Sequence, residues 1–402
     1  MKEETGLNKA KYANMLPMPE LDTVSKRLLP FKILSRLRDE TPVRYDEVRN
    51  CWDVFGYDNV HRVLKDYAVF SSVRGASAGT SMLYTDPPKH AQLRDLVNKA
   101  FTPREIQAFA PRIEAIAADL LDRARGGSMD LVHEFATPLP VIIIAEMLGA
   151  PKEDRERFKR WSDVLVESAA DDSDEAFRAV VERRQLAIAE LTDYFAALLR
   201  ERAKQPQEDL ISLLLAAEID GERLTPPELI SFCILLLAAG NETTTNLITN
   251  GVRLLTERPE LQRELRRQPE ALPDFVEETL RYYPPIVAVG RVAKEDTAIG
   301  DAAVKAGDQI IAWVGAANRD PAKFDDPESF VLGRKPNAHM SFGFGIHFCL
   351  GAPLARLEAK LALGALLART GDIRALPDHE LTPIMSSFVF GVKNYPVTFE
   401  AR

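Results

Sequence analysis

The chain has 402 residues, 46% apolar and 28% charged, with a formal net charge of −9 and a pI near 5.4. That balance suits a soluble globular protein with a large core and argues against nucleic acid as a partner. Three widely separated cysteines, Cys51, Cys233 and Cys349, exclude a disulfide framework and fit a reducing cytoplasm.

The first twenty residues carry Lys2, Glu3, Glu4, Lys9, Lys11 and Glu20, so no targeting segment is expected there. The most apolar runs, 141–144 and 234–239, are too short to span a bilayer. Helical spacing predicts helices over 31–39, 57–66, 88–99, 103–125, 138–148, 152–168, 174–204, 226–257, 259–267, 271–282 and 351–369. Thr102-Pro-Arg-Glu105 and Thr225-Pro-Pro-Glu228 read as capping boxes with proline in the first turn. Pro259, Pro284-Pro285 and Gly371 read as stops. The acidic run 171–175 reads as a solvated loop. Strand-like pieces fall at 42–55, 286–300, 308–314 and 383–400. No repeat or linker interrupts the pattern, so the expectation is one mainly α domain with a small β region.

The stretch 226–257 is long enough for a helix of roughly 48 Å at 1.5 Å per residue. Leu229, Ile230, Phe232 and Ile234–Leu237 make its first half apolar on nearly every side, which predicts burial. Ala239-Gly240-Asn241-Glu242-Thr243-Thr244-Thr245 then breaks the pattern. Glycine costs about 1 kcal/mol against alanine inside a helix, and a buried carboxylate costs more unless paired. Such local violations gather at functional sites.

Near the other end lies Phe342-Gly-Phe-Gly-Ile-His-Phe-Cys349-Leu-Gly351. Gly343, Gly345 and Gly351 allow the chain to curl around one sulfur. From there Leu350, Leu354, Leu357 and Leu361 form a helical stripe. A cysteine at a helix N-terminus faces unpaired N–H groups that favour thiolate, so Cys349 reads as a metal ligand or a nucleophile. A zinc cage is excluded, because no second cysteine pair stands at ligand spacing.

Taken together these segments resemble the soluble bacterial cytochrome P450 family of haem-thiolate monooxygenases, over nearly the whole chain. Within it the chain is most similar to bacillus-type hydroxylases of fatty acids, steroids and terpenoids. The loop 342–351 is similar to the haem-binding signature, 239–244 to the oxygen-activation motif, Glu278-Thr-Leu-Arg281 to a helix ion pair, and Asp86–Arg94 to the helix that meets the haem propionates.

The resemblance implies the cytochrome P450 fold, with haem b (iron protoporphyrin IX) between the long central helix and the cysteine-loop helix. It implies Cys349 as the axial iron ligand, flanked by Phe342 and Gly351, with backbone N–H groups near Leu350 and Gly351 directed at the sulfur. His90 and Arg94, four apart on one helix face, join Arg291 and His347 as partners of the two propionates. Ala239 and Gly240 leave room for dioxygen. Glu242 relays protons, and Thr243 positions the acceptor of those protons, its hydroxyl opening a local kink.

Glu278 and Arg281 form a buried structural pair, although Glu277 also lies within reach of Arg281. Where many relatives place a third arginine this chain has Ser329, with Arg334 a candidate substitute. Substrate contacts are expected from Val69–Tyr84, the 165–180 region, Leu235 and Ala239, Ile286–Val289 with Val287 foremost, and Phe388 and Val389, all in largely apolar stretches.

Electrons are expected from a separate ferredoxin or flavodoxin with an NAD(P)H-dependent reductase, because the chain carries no phosphate-cradling glycine motif and no cysteine cluster. Lys89, Lys99, Arg104, Arg356 and Lys360 would supply positive charge for docking on the cysteine side. The remaining expectations are a monomer acting on a hydrophobic small molecule with O2, with no membrane association.

Overall fold

The computed structural model describes residues 18–74, 81–124, 126–167, 174–219 and 221–400. Helices dominate, and Pro226–Glu257 runs unbroken through their middle. It packs against Pro138–Met147, Arg155–Val166, Asp174–Lys204, Leu272–Tyr282 and Ala352–Arg369, which accounts for burial on almost every side. The start of the long helix follows from its sequence: the Glu228 carboxylate accepts from the Thr225 N–H at 2.8 Å. Thr102 likewise accepts from the Glu105 N–H at 3.3 Å.

The stretch expected as one helix over 103–125 is two, Pro103–Ala108 and Ala110–Arg123. Pro111 has no N–H to continue the ladder, so the chain restarts with proline in a first turn. Leu210–Ala216 is a helix without a counterpart among the expected ones. Its seven residues are too few to display a period, and Asp209, whose side chain accepts from the Ser212 N–H at 2.8 Å, supplies the cap. Positions 168 and 171–173 lie outside the described residues, while Asp174 and Glu175 already belong to a helix.

The strands are β1 (Val43–Asp46), β2 (Cys51–Val54), β3 (Phe70–Ser71), β4 (Ser128–Asp130), β5 (Val289–Ala293), β6 (Thr297–Ile299), β7 (Ala302–Val304), β8 (Gln309–Ala312), β9 (Arg374–Ala375) and β10 (Pro396–Thr398). One sheet has the order β1-β2-β8-β5-β3, with β2 and β8 parallel. β4-β10-β9 and β6-β7 form two smaller sheets. β5 matters most for the site: it carries Arg291 opposite Ile310 and holds β3 on its other edge, Ser71 opposite Val292.

Beneath the long helix, Arg281 Nη2 and Nε donate to the two oxygens of Glu278 at 2.7 and 2.9 Å, both side chains fully buried. Arg334 completes the group, its Nε 3.1 Å from Glu278 Oε1. Ser329 contributes its carbonyl, which accepts from Arg281 at 2.7 Å. Glu277 turns to Arg356 and His339 instead, at 2.6 and 3.1 Å. Among the described residues no helix is long and apolar enough to cross a membrane.

Candidate active site

The cysteine loop is closed by its own backbone. The Cys349 N–H donates to Phe342 O and the Gly343 N–H to Met340 O, both at 2.8 Å. Gly343 and Gly345 sit at φ near +70°, a conformation costly for other residues. A Cβ on Gly345 would also press the backbone of Leu64 and Lys65 at 3.2 Å. Gly351 differs from expectation: its φ of −78° is ordinary, and it acts as the N-cap of Ala352–Arg369.

Burial pushes the Cys349 thiol up, while the N–H groups of Gly351 and Ala352 and the charges of Arg94 and Arg356 pull it down. The sulfur therefore meets Gly351 and Ala352 rather than Leu350. The Phe342 ring lies under the Arg356 guanidinium, 4.5 Å from centroid to Cζ. Glu277, drawn down to about 2 by His339 and Arg356 against its burial, fixes that guanidinium in place. Among the described residues no three His, Cys, Asp or Glu side chains gather as a metal cage.

Beside the loop, three arginines and two imidazoles collect around the carboxylate of Asp86. The His90 and His347 rings are 4.2 Å apart, and His347 Nε2 is buried with no hydrogen-bond partner. Burial first, then His90, Arg291, Arg94 and Arg74, push His347 down to about 3. Burial and Arg74 lower Arg291 to about 10, and burial also lowers Arg94, Arg74 and His90. Asp86, the carboxylate at this edge, is engaged by Ser71 Oγ at 2.6 Å and the Ser72 N–H at 3.1 Å. Three desolvated guanidiniums, Arg74, Arg94 and Arg291, beside two imidazoles make a good receptor for a ligand with two carboxylates. With one sulfur at the mouth, the set fits a haem. Arg74 was missed from sequence, having no motif and lying far along the chain from its neighbours.

On the central helix Leu235, Ala239 and Thr243, each four apart, form an open stripe, whereas Leu236, Leu237, Asn241 and Thr244 are buried. Gly240 is turned the other way. A Cβ there would stand 3.2 Å from Ile144 Cδ1, so this glycine serves close packing on Pro138–Met147, and Ala239 is the small residue on the open side. The Thr243 hydroxyl donates to Ala239 O at 2.6 Å within a continuous helix, where a kink was expected. Burial raises Glu242 to about 7, opposed by the charge of Arg184. Arg184 Nη2 donates to Glu167 O at 2.8 Å and its buried Nε has no partner.

Val287, one of the expected substrate residues, is core: a Cβ on Gly315 would stand 3.3 Å from it. Phe388 and Val389 are half-buried beside it, with the Val287 N–H donating to Phe388 O at 2.8 Å. Within Val69–Tyr84 and 165–180, positions 75–80 and 168–173 lie outside the described residues.

The family profile for cytochrome P450 matches residues 49–399. Cytochrome P450 109 of Bacillus spizizenii is 54% identical over 391 residues, covering 97% of this chain and 96% of the relative. The substrate-free crystal structure of CYP109E1 from Bacillus megaterium superposes with a TM-score of 0.90 at 43% identity, covering 94% of this chain and all of the other. The same enzyme in complex with corticosterone gives 0.87 at 44% identity, covering 93% and 99%.

Proposed function

Because the chain belongs to the cytochrome P450 family of haem-dependent monooxygenases, we propose that it hydroxylates a hydrophobic fatty acid, steroid or terpenoid with electrons from a separate redox partner. The observation that carries this reading is the sulfur of Cys349, held under two N–H groups beside three desolvated arginines and two buried imidazoles. Steroids come first for testing, since a relative of the same fold has been crystallised with corticosterone.

In this reading Cys349 ligates the iron of haem b, and His90, Arg94, Arg291 and His347 neutralise the propionates. When bound, the haem supplies dioxygen activation and C–H oxidation. The Gly351 and Ala352 N–H groups hold charge on the sulfur. Phe342, braced by Arg356, shields it from water. Glu242, near pH 7 in its titration, exists in both forms at neutral pH and so can release a proton at its carboxyl and regain one. Thr243, when its hydroxyl lets go of the Ala239 carbonyl, would hydrogen-bond and position the group that takes that proton. The Leu235–Ala239 stripe lays an apolar wall along the substrate.

Electrons would come from a ferredoxin or flavodoxin served by an NAD(P)H-dependent reductase. The protein would act as a one-domain monomer in the cytoplasm, where Cys51 and Cys233, both buried with thiols pushed up, stay reduced. The test is optical. The reduced protein with carbon monoxide should show the strongly red-shifted absorption of an anionic sulfur ligand, and a steroid should shift the ferric spin state. Absence of the first sinks the haem-thiolate assignment. With surrogate redox proteins Thr243→Ala should divert electrons to hydrogen peroxide, and fully coupled turnover in that variant would remove Thr243 from proton delivery.

A further inference from the structure

Arg74 belongs to no motif, yet the fold carries it to the cationic edge. β3 pairs antiparallel with β5, placing Ser71 opposite Val292, and the chain continues along β5 toward Gly290. There the Arg74 guanidinium occupies the space that a Cβ on Gly290 would need. It also covers the Tyr84 ring, 5.6 Å from the centroid. No oxygen among the described residues accepts a hydrogen bond from it, although it is half-buried and burial lowers its pKa. A partly desolvated guanidinium has five N–H donors in a planar fork that suits a carboxylate placed beside it. Its charge acts on both Arg291 and His347, so it shares their site.

We propose that Arg74 is a third arginine of the propionate cradle, admitted by the missing side chain of Gly290, and that it hydrogen-bonds a haem carboxylate directly. The proposal rests on the haem reading above. Two propionates offer about eight lone-pair sites, more than His90, Arg94, Arg291 and His347 fill, and Asp86 is already engaged by Ser71 and Ser72. A carboxylate on a substrate is the other possible source of the same chemistry. The open stripe of the central helix is apolar at Leu235 and Ala239, which favours the propionate.

The experiment compares wild type, Arg74→Gln, Arg74→Lys and Gly290→Ala, each loaded with haem or with haem dimethyl ester. Two quantities are read: the rate of haem transfer to apomyoglobin and the ferric–ferrous midpoint potential. With native haem, Arg74→Gln should lose the group on the order of tenfold faster, as expected for one charge-assisted hydrogen bond. Its midpoint should move negative, because a positive charge has left. Arg74→Lys should fall between the two, and Gly290→Ala should resemble Arg74→Gln. With the dimethyl ester, Arg74→Gln should add nothing to wild type.

Equal acceleration with both haems, or none with native haem, overturns the proposal. So does a variant that keeps its haem but binds fatty-acid anions far more weakly, which would assign Arg74 to substrate. A wild type that never holds haem would sink the underlying reading as well, an outcome distinct from the other two.

Discussion

At the scale of single residues, Glu242 is the group whose environment decides most. Burial raises it to about 7, and Arg184 is the charge that limits the rise. A carboxyl raised above its unfolded value contributes its full stability below about pH 4.5 and loses it as pH climbs through about 7. The acid form that can donate a proton disappears over the same window. Product formed per NAD(P)H should therefore fall as pH rises past about 7. Glu242→Gln should flatten that dependence, reduce product formation by about 10²-fold, and make the protein relatively more stable at pH 8 than at pH 5. Product yield and melting temperature across pH check both halves. A variant that keeps the wild-type pH profile would take proton delivery away from Glu242.

At the scale of elements, the Glu278–Arg281 group shows how the helix Leu272–Tyr282 is tied to the loops on its C-terminal side. Arg281 donates to Asn318 O, Pro327 O and Ser329 O at 3.0, 2.8 and 2.7 Å besides its carboxylate, so one side chain stitches two stretches of loop. Arg281→Met should destabilise by about 3–5 kcal/mol, because Glu278 is left as a buried charge with less compensation. Glu278→Gln with Arg281→Met should lose less than the sum of the single changes, as urea unfolding would read. Additive losses would mean that the two act independently. Arg334→Ala should cost about 1–3 kcal/mol, since it removes one donor of several. The i, i+3 spacing made this pair legible in the sequence. Arg334 could be named only as a candidate, because its reach across 56 positions is a property of the folded loop.

For the whole molecule, long amphipathic and apolar periods made the helices legible, and the glycine-framed cysteine loop together with Glu242-Thr243 pointed to the candidate site. What stayed hidden is long-range. Arg74 meets Arg291 only through the pairing of β3 with β5, Arg184 meets Glu242 only through helix packing, and Gly240 revealed its packing role only beside Ile144. Surface charge is the same kind of property. Of the five cations expected to face a redox partner, Lys89 is paired with Glu228 at 2.5 Å, Lys99 donates to Glu218 O at 2.6 Å and Arg356 is held by Glu277. Arg104 and Lys360 are exposed with no partner among the described residues, on two helices that pack together. In the proposed reading they would be the charges left to steer an acidic redox partner despite the net −9 of the chain. Arg104→Glu with Lys360→Glu should raise the KM for reduced partner several-fold at low salt, and the difference should shrink as salt screens it. The spin shift on substrate binding should stay at its wild-type value, because neither side chain belongs to the cradle or the stripe. An unchanged KM at low salt would place the partner on another face.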